Sequence, residues 1–239
     1  MTRTKVIKFI DGRRVIYSEK HWQLLKELRL KAIEILNIFK KEGIYAIVHG
    51  SIARGDVHIG SDIDIVIPYT VPSYLVETIL ENYEIKPYKK LISQATPIHA
   101  IKAHIYLDEL TIITFPLTPL SELEREFYKF SGELTLEKLI NNERVPGVDK
   151  RLMLIIPVND GHIERSIIGI ERKVAKFLNI SLEIIEERKG ILLRRDEIGR
   201  TGVFIKKIVG IDQSFEDVLR KLARENSILR KKLIQSGLL

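Results

Sequence analysis

Two aspartates in a short apolar segment constrain this 239-residue chain more than any other feature of its sequence. The segment DIDIVI, residues 62–67, alternates acidic and aliphatic side chains, which predicts a β-strand with Asp62 and Asp64 on one face. Its isoleucines share the other face and indicate contact with a hydrophobic core. The two carboxylates would stand roughly 7 Å apart, and like charges that close raise each other's pKa. A divalent cation removes this repulsion, and carboxylate oxygens suit Mg²⁺ or Mn²⁺.

A glycine-serine pair precedes this strand by ten residues. IYAIVH, residues 44–49, reads as a short buried strand, and Gly50-Ser51 leads from it into a helical turn. Glycine lets the backbone approach a ligand closely, and the amides at the start of a helix favour a phosphate. The two features together predict one wall that binds phosphates and one that binds a metal. An edge strand whose aspartates face water would also explain DIDIVI taken alone.

The whole segment GSIARGDVHIGSDIDIVI, residues 50–67, resembles the signature of the polymerase-beta-type nucleotidyltransferase superfamily. That signature is a Gly-Ser turn, about ten residues, and then Asp-x-Asp between apolar residues. Arg54-Gly55 also matches the GSxxRG form of the small prokaryotic members. The resemblance implies an α+β domain, with a small mixed sheet and flanking helices. It also implies two divalent cations, Mg²⁺ or Mn²⁺, and transfer of an NMP from an NTP to an acceptor.

The resemblance assigns roles to five residues of this turn and strand. Asp62 and Asp64 would be the catalytic metal ligands, and Gly50 and Ser51 would bind the nucleotide phosphates. Arg54 belongs to the same phosphate-binding turn, and we expect it to brace the turn rather than take part in the chemistry.

The third carboxylate of such sites is the least certain element of the pattern. The family adds it on a neighbouring strand, and no apolar-acid-apolar triplet of that kind follows residue 67. The nearest candidate is Asp108, which follows an alternating segment in which His104 and Tyr106 would share its face. We expect Asp108 to be the third catalytic and metal-binding carboxylate. The alternative is that Asp108 and Glu109 only form the turn of a hairpin.

The last third of the chain predicts a second domain. RVPGVDK, residues 144–150, has the composition of a linker, so we expect a nucleotidyltransferase domain over 1–150 and a basic domain over 151–239. ERKVAKFLNISLEIIEER, residues 171–188, fits helix-turn-helix spacing, with Asn179 in the turn. Two strands around EIGRTG would complete a winged-helix-like fold. A small helical domain that packs on the first domain is the alternative.

Charge suggests what this second domain contacts. Residues 151–239 contain 18 Lys and Arg against 12 Asp and Glu, which accounts for most of the chain's net charge of +7. Winged helices commonly set such charges against phosphates. The candidate contacts to RNA or DNA are Arg188, Lys189, Arg194, Arg195, Arg200, Lys206 and Lys207.

The end of the chain predicts one long helix that runs from Ser214 to about residue 235. Its apolar residues recur at coiled-coil spacing, with Asn226 among them. Such a stripe fits a short parallel coiled coil that makes a homodimer. A helix that packs on its own domain explains the same stripe, and we favour this interpretation.

The remaining composition excludes several classes. Cysteine is absent, which rules out disulfides and thiolate metal sites. The sequence has neither a signal-peptide pattern nor an apolar run near the ~20 residues of a membrane span. We therefore expect a cytoplasmic protein. Two functions remain: a metal-dependent nucleotidyltransferase that acts on RNA or DNA rather than on a small molecule, and a winged-helix regulator with a nucleotide-sensing or inactive transferase-like domain.

Overall fold

The computed structural model describes residues 5–7, 12–199 and 201–238. The strands are β1 (Arg13–Ile16), β2 (Ile47–His49), β3 (Ile63–Val66), β4 (Lys89–Gln94), β5 (Lys102–Tyr106), β6 (Thr111–Pro116), β7 (Glu133–Thr135), β8 (Gly147–Val148), β9 (Met153–Val158), β10 (Gly161–Ser166) and β11 (Ile205–Val209). The helices are α1 (Glu19–Lys41), α2 (Ser51–Arg54), α3 (Ser73–Asn82), α4 (Glu122–Ser131), α5 (Leu136–Ile140), α6 (Glu171–Leu178), α7 (Leu182–Ile198), α8 (Phe215–Glu225) and α9 (Ser227–Gln235).

The larger of two sheets is mixed, as expected for the α+β class. Its strand order is β11-β4-β5-β6-β3-β2-β7. Strands β3 and β6 are parallel, and the other neighbours pair antiparallel. The strand that carries the aspartate pair therefore lies inside the sheet, between β6 and β2. The smaller sheet has the order β1-β10-β9-β8.

Helix α1 covers one face of the large sheet. Ser18 caps its first turn by accepting a hydrogen bond from the backbone of His21. The buried side chains of α1, among them Leu36 and Phe39, belong to the same core as the isoleucines of DIDIVI. The isoleucine face is thus buried, and the aspartates point to the opposite face. Helix α4 covers part of that opposite face, where Tyr128 packs on Ile47 and Val66.

The predicted boundary at residue 150 does not separate the two sheets. Strand β1, from the start of the chain, pairs with β10, and β11 pairs with β4 of the large sheet. The segment predicted as a linker makes specific contacts. Arg144 donates to the carbonyls of Val158 and Gly161, and its guanidinium lies 4.8 Å from the Trp22 ring centre. Turn-rich composition indicated a loop, but it carried no information about these contacts.

The helix-turn-helix is confirmed, and the wing is not. Helix α6 ends at Asn179, whose φ of 52° is left-handed, and Ser181 caps α7. Helix α7 then continues to Ile198, so the residues predicted as the first strand of the wing are helical. The second predicted strand, β11, pairs with the large sheet instead. The described residues therefore form no wing hairpin. The helix continues through Gly190, and its Leu192 is buried in the core that α6 and α7 share.

The end of the chain forms two helices rather than one. Asn226 is extended, with φ −132° and ψ 105°, and its side chain caps α9 by accepting from the amides of Ile228 and Leu229. The apolar stripe lies in the core of the large sheet, where Phe215 and Leu229 are fully buried. The stripe is therefore buried within the same chain, as favoured, but against the large sheet rather than against the basic domain predicted for residues 151–239. None of the described helices is long and apolar enough to cross a membrane.

Candidate active site

The aspartate pair lies at the start of β3 on the face opposite α1. Asp62 and Asp64 are half-buried, and no described residue gives either carboxylate a hydrogen bond or an ion pair. Burial raises the pKa of Asp62, and the negative charge of Asp64 raises it further. Burial also raises the pKa of Asp64. Two carboxylate groups that share one face and lack protein partners are suited to a hard cation.

Register places three side chains beside Asp64 on this face. Ile112 of β6 and His49 of β2 are its direct neighbours, and Tyr106 of β5 lies beyond Ile112. The charges of Asp64 and Asp62 raise the pKa of Tyr106, after the effect of burial, so its hydroxyl faces the pair. The position next to Asp64 on the adjoining parallel strand, where a third acid would complete the site, therefore carries an isoleucine.

His49 borders the pair as a neutral side chain. Burial, together with the positive charges of Arg54 and Lys102, lowers its pKa to about 3. Its Nδ1 lies 2.9 Å from the hydroxyl of Ser131, and its ring packs edge-on against Tyr128. This histidine closes the side of the site toward α4 without adding charge.

The Gly-Ser turn follows directly from β2. Gly50 has φ 82° and ψ −145°, a conformation that favours glycine, and its amide donates to the carbonyl of Gly132. Helix α2 begins at Ser51, and no described side chain caps its first amides. Because His49 pairs antiparallel with Asp64, the chain continues past His49 toward the Asp62 end of β3. The structure thus brings Gly50 and Ser51 together with the aspartate pair.

Arg54 is engaged entirely within the protein. Its guanidinium forms two hydrogen bonds to Asp56, at 3.0 and 2.9 Å, and one of 2.6 Å to the carbonyl of Ser131. The side chain is buried. This arrangement braces the turn, which is the role that the sequence suggested for it.

Asp108 lies in the hairpin between β5 and β6, apart from the aspartate pair. Its carboxylate accepts from the amides of Leu110 and Thr111, each at 2.8 Å, and forms a 2.5 Å ion pair with Lys31. Burial raises the pKa of Asp108, but Lys31 and these amides outweigh burial and lower it to about 2. Lys31 belongs to α1, which packs on the isoleucine face. Across the described ranges, no three His, Cys, Asp or Glu side chains cluster as a metal site.

Lys150 is a charged residue near the aspartate pair that sequence reasoning did not consider. Its positive charge lowers the pKa values of Asp62, Asp64 and His49, against the dominant effect of burial on the two acids. The sequence placed it in a linker 86 residues after Asp64. A lysine in a turn carries no local signal of such a role, because the fold alone brings it there.

Of the candidate nucleic-acid contacts on α7, Arg188 and Lys189 contact other protein groups, whereas the other two are exposed. The Arg188 guanidinium lies 4.7 Å from the ring centre of Phe127, and its buried Nε has no hydrogen-bond partner among the described residues. Lys189 forms ion pairs with Glu171 and Glu186. Arg194 and Arg195 are exposed.

The remaining candidates lie on another element. Lys206 and Lys207 are exposed on β11, at the edge of the large sheet. Arg200 lies outside the described residues. The start of α7 is attached to α4, because the Ser181 amide donates to Glu126 over 3.0 Å. The set therefore does not form the recognition helix and wing of a winged-helix protein.

Comparison with known proteins identifies the class of the central segment. Residues 31–124 match the family model described as a nucleotidyltransferase domain, and this range contains the Gly-Ser turn and the aspartate pair. This segment is therefore similar to nucleotidyltransferase domains, in keeping with the polymerase-beta-type pattern, and the similarity supports nucleotidyl transfer as a general function. No curated protein and no solved structure gave a match to the chain.

Proposed function

We propose that this chain transfers a nucleoside monophosphate from an NTP to a hydroxyl acceptor, in a reaction that depends on Mg²⁺ or Mn²⁺. One observation carries the proposal. Asp62 and Asp64, to which the described residues give no hydrogen bond or ion pair, share one end of a sheet face with the Gly50-Ser51 turn. The donor set fits a divalent cation, since carboxylate oxygens are its preferred ligands. The cytoplasmic location expected from the sequence is kept as part of this proposal.

The chain's own residues would bind and align the nucleotide. The amides that follow Gly50 receive the β- and γ-phosphates, and Arg54 holds that turn rigid through Asp56. Asp62 and Asp64 would hold the cation, which when bound neutralises phosphate charge. The acceptor oxygen attacks the α-phosphorus in line, and the bond to the α,β-bridging oxygen breaks. Pyrophosphate leaves with that electron pair, and the acceptor proton passes to water.

The acceptor class follows from charge. The excess of basic residues lies in 151–239, and Arg194 and Arg195 of α7 and Lys206 and Lys207 of β11 are exposed. Exposed basic residues of this kind bind phosphate backbones. We therefore propose RNA or DNA as the acceptor, in preference to a small molecule.

A second function is favoured by one observation, the isoleucine at position 112. With Ile112 beside Asp64 and Asp108 held by Lys31, the described residues supply two carboxylates to the site. A nucleic-acid-binding regulator that senses nucleotide without turning it over would need no third acid. Such a protein would bind nucleic acid with the same salt dependence after Asp62→Asn.

Nucleotide transfer from α-labelled NTPs tests the first function against the second. Each of the four NTPs is supplied with Mg²⁺ or Mn²⁺, and the acceptors are tRNA, total RNA, single-stranded DNA and the protein itself. We expect label transfer by the wild type, its loss in Asp62→Asn/Asp64→Asn, and its retention in Asp212→Asn, which removes an exposed acid on another element. Nucleic-acid binding without transfer to any acceptor would instead support the regulator.

A further inference from the structure

A row of side chains crosses the large sheet from the aspartate pair. Asp64 of β3 is in register with Ile112 of β6, and Ile112 is in register with Tyr106 of β5. Tyr106 is in turn in register with Lys89 of β4. Residues in register point to the same face of a sheet, and neighbouring strands lie about 4.8 Å apart. Tyr106 therefore stands roughly 10 Å from Asp64, two strands away on the same face.

This row lies on the face of the sheet that α1 does not cover. The opposite face is buried in the core to which α1, α3 and α8 contribute. Tyr106, Ile112 and Lys89 are each partly exposed. Lys206 and Ile208 of β11 extend the same face, and both side chains are exposed. The face thus continues from the aspartate pair to the edge strand of the sheet.

Tyr106 and Lys89 combine an aromatic ring with a positive charge on this face. The Lys89 ammonium lies 5.4 Å from the centre of the Tyr106 ring. Within the described ranges, no carboxylate forms an ion pair with Lys89 or with Lys206. Proteins bind single-stranded nucleic acids with this combination, because a base stacks on the ring and a flexible lysine contacts a phosphate.

The side chains next to this row are hydrogen-bonding groups. His104 Nδ1 lies 2.9 Å from the Thr114 hydroxyl oxygen, and its Nε2 lies 2.7 Å from the Ser93 hydroxyl oxygen. The buried centre of a protein–protein interface is commonly apolar, which this group is not. Hydroxyl groups both donate and accept, and this suits the edge of an unpaired base. The chemistry of the face therefore favours a single-stranded nucleic acid over a protein partner.

We propose that this face binds the 3′ end of a single-stranded nucleic acid, with the last base stacked on Tyr106 and the preceding phosphates on Lys89 and Lys206. This inference rests on the proposed function, because it identifies the acceptor as an unpaired strand. Its terminal hydroxyl then points along the row toward Asp62 and Asp64.

Register also separates two lysines that the sequence grouped together. Lys206 is in register with Ser93 on the proposed binding face, whereas Lys207 is in register with Ile92, which belongs to the core of the opposite face. Both lysines are exposed. Lys207 is therefore a matched control for Lys206.

Binding of an oligoadenylate labelled at its 5′ end, without NTP or metal, tests the surface. Tyr106→Leu should weaken binding about tenfold at every salt concentration, because stacking is lost and no charge is removed. Lys206→Gln should reduce the slope of log affinity against log salt by about 0.7, because one phosphate contact is lost. Lys207→Gln should leave this slope unchanged. Tyr74→Leu, which removes an exposed ring from α3, should leave the affinity unchanged.

Cross-linking of the wild type gives a second readout that does not depend on whether a variant folds. An RNA with 4-thiouridine at its 3′ end should cross-link to the peptide that contains Tyr106. Cross-links confined to α6 and α7, or equal binding of duplex and single strand, would overturn the proposed surface. Transfer to RNA together with unchanged binding by Tyr106→Leu overturns this inference alone. A cross-link at Tyr106 without transfer from any NTP overturns the proposed function and leaves the surface as the nucleic-acid site of a regulator.

Discussion

At the scale of single residues, the aspartate pair occupies a position that disfavours its charged form. Burial raises the pKa of both carboxylates, and Asp64 raises that of Asp62 further. Lys150 opposes these shifts but does not form an ion pair with either acid. A pair used only for stability would be expected to have hydrogen-bond donors, as Asp108 has. The described residues give the pair no such donors, and this agrees with the cation-binding role proposed for it.

Gly147 provides a residue-scale prediction. Alanine at this position would place its Cβ 2.5 Å from the Gly132 nitrogen, so the backbone of residues 131–132 must move. We expect Gly147→Ala to lower the free energy of unfolding by about 1–3 kcal/mol, the usual effect of overpacking. It should also weaken tripolyphosphate binding, because Gly132 holds Gly50. Urea denaturation followed by circular dichroism measures the first effect, and calorimetric titration with inorganic tripolyphosphate and Ca²⁺ measures the second.

Gly190 is the matched control for that substitution. It lies inside α7, and no atom lies within 4 Å of the position that an added methyl group would take. Gly190→Ala should therefore raise the stability by up to about 1 kcal/mol through helix propensity. Equal effects of the two substitutions would show that the contact at Gly147 is not as tight as its geometry indicates.

At the scale of secondary-structure elements, two asparagines end helices by different means. Asn179 takes the left-handed conformation after α6, which the sequence predicted. Asn226 is extended and caps the following helix with its side chain. In the sequence Asn226 falls at a coiled-coil core position, and its capping role was not recognised there. An asparagine within an apolar repeat fits both a buried polar position and a helix start.

The contribution of the Asn226 cap to stability can be tested by substitution. Asn226→Ala removes the acceptor for the amides of Ile228 and Leu229 and should destabilise the chain by about 1 kcal/mol. Asn226→Asp keeps a capping oxygen and should remain within about 0.5 kcal/mol of the wild type. Thermal and urea unfolding of the three proteins would measure this difference. A gain in stability for alanine would mean that α8 and α9 prefer to join as one helix.

At the scale of the whole molecule, β11, α8 and α9 complete the hydrophobic core of the large sheet. Phe215 and Leu233 are fully buried there, and Phe115 packs edge-on against Phe215 at 6.0 Å between ring centres. The buried ammonium of Lys90 donates to the carbonyls of Ile211 and Gln213, at 3.0 and 2.6 Å. The C-terminal helices are thus part of the nucleotidyltransferase core rather than an appended unit.

This arrangement predicts that residues 1–150 do not fold alone. The fragment lacks β11, α8 and α9, which leaves β4 as an unpaired edge and exposes the apolar surface that they cover. We expect the fragment to lack a cooperative unfolding transition and a dispersed amide NMR spectrum, whereas the full chain shows both. A well-dispersed spectrum of the fragment would restore the boundary that the sequence suggested.

The parts of this protein that could be predicted were those that depend on neighbours in sequence. Alternation in DIDIVI determined which side chains of β3 are buried, and the Ser18 and Ser181 caps determined where α1 and α7 begin. The ten-residue spacing of Gly-Ser and Asp-x-Asp was enough to identify a nucleotidyltransferase domain. Local periodicity and capping act over a few residues, so the sequence displays them directly.

Only the tertiary structure decided which distant segments meet at the site. It placed Ile112 beside Asp64, turned Asp108 toward Lys31, and brought Lys150 to the aspartate pair. It also joined β11 to β4. Strand partners and charge partners far apart in sequence are selected by the burial and pairing of the whole sheet. No local pattern encodes that selection, and for this reason the third acid was sought in a hairpin at Asp108, whose carboxylate the structure pairs with Lys31 of α1.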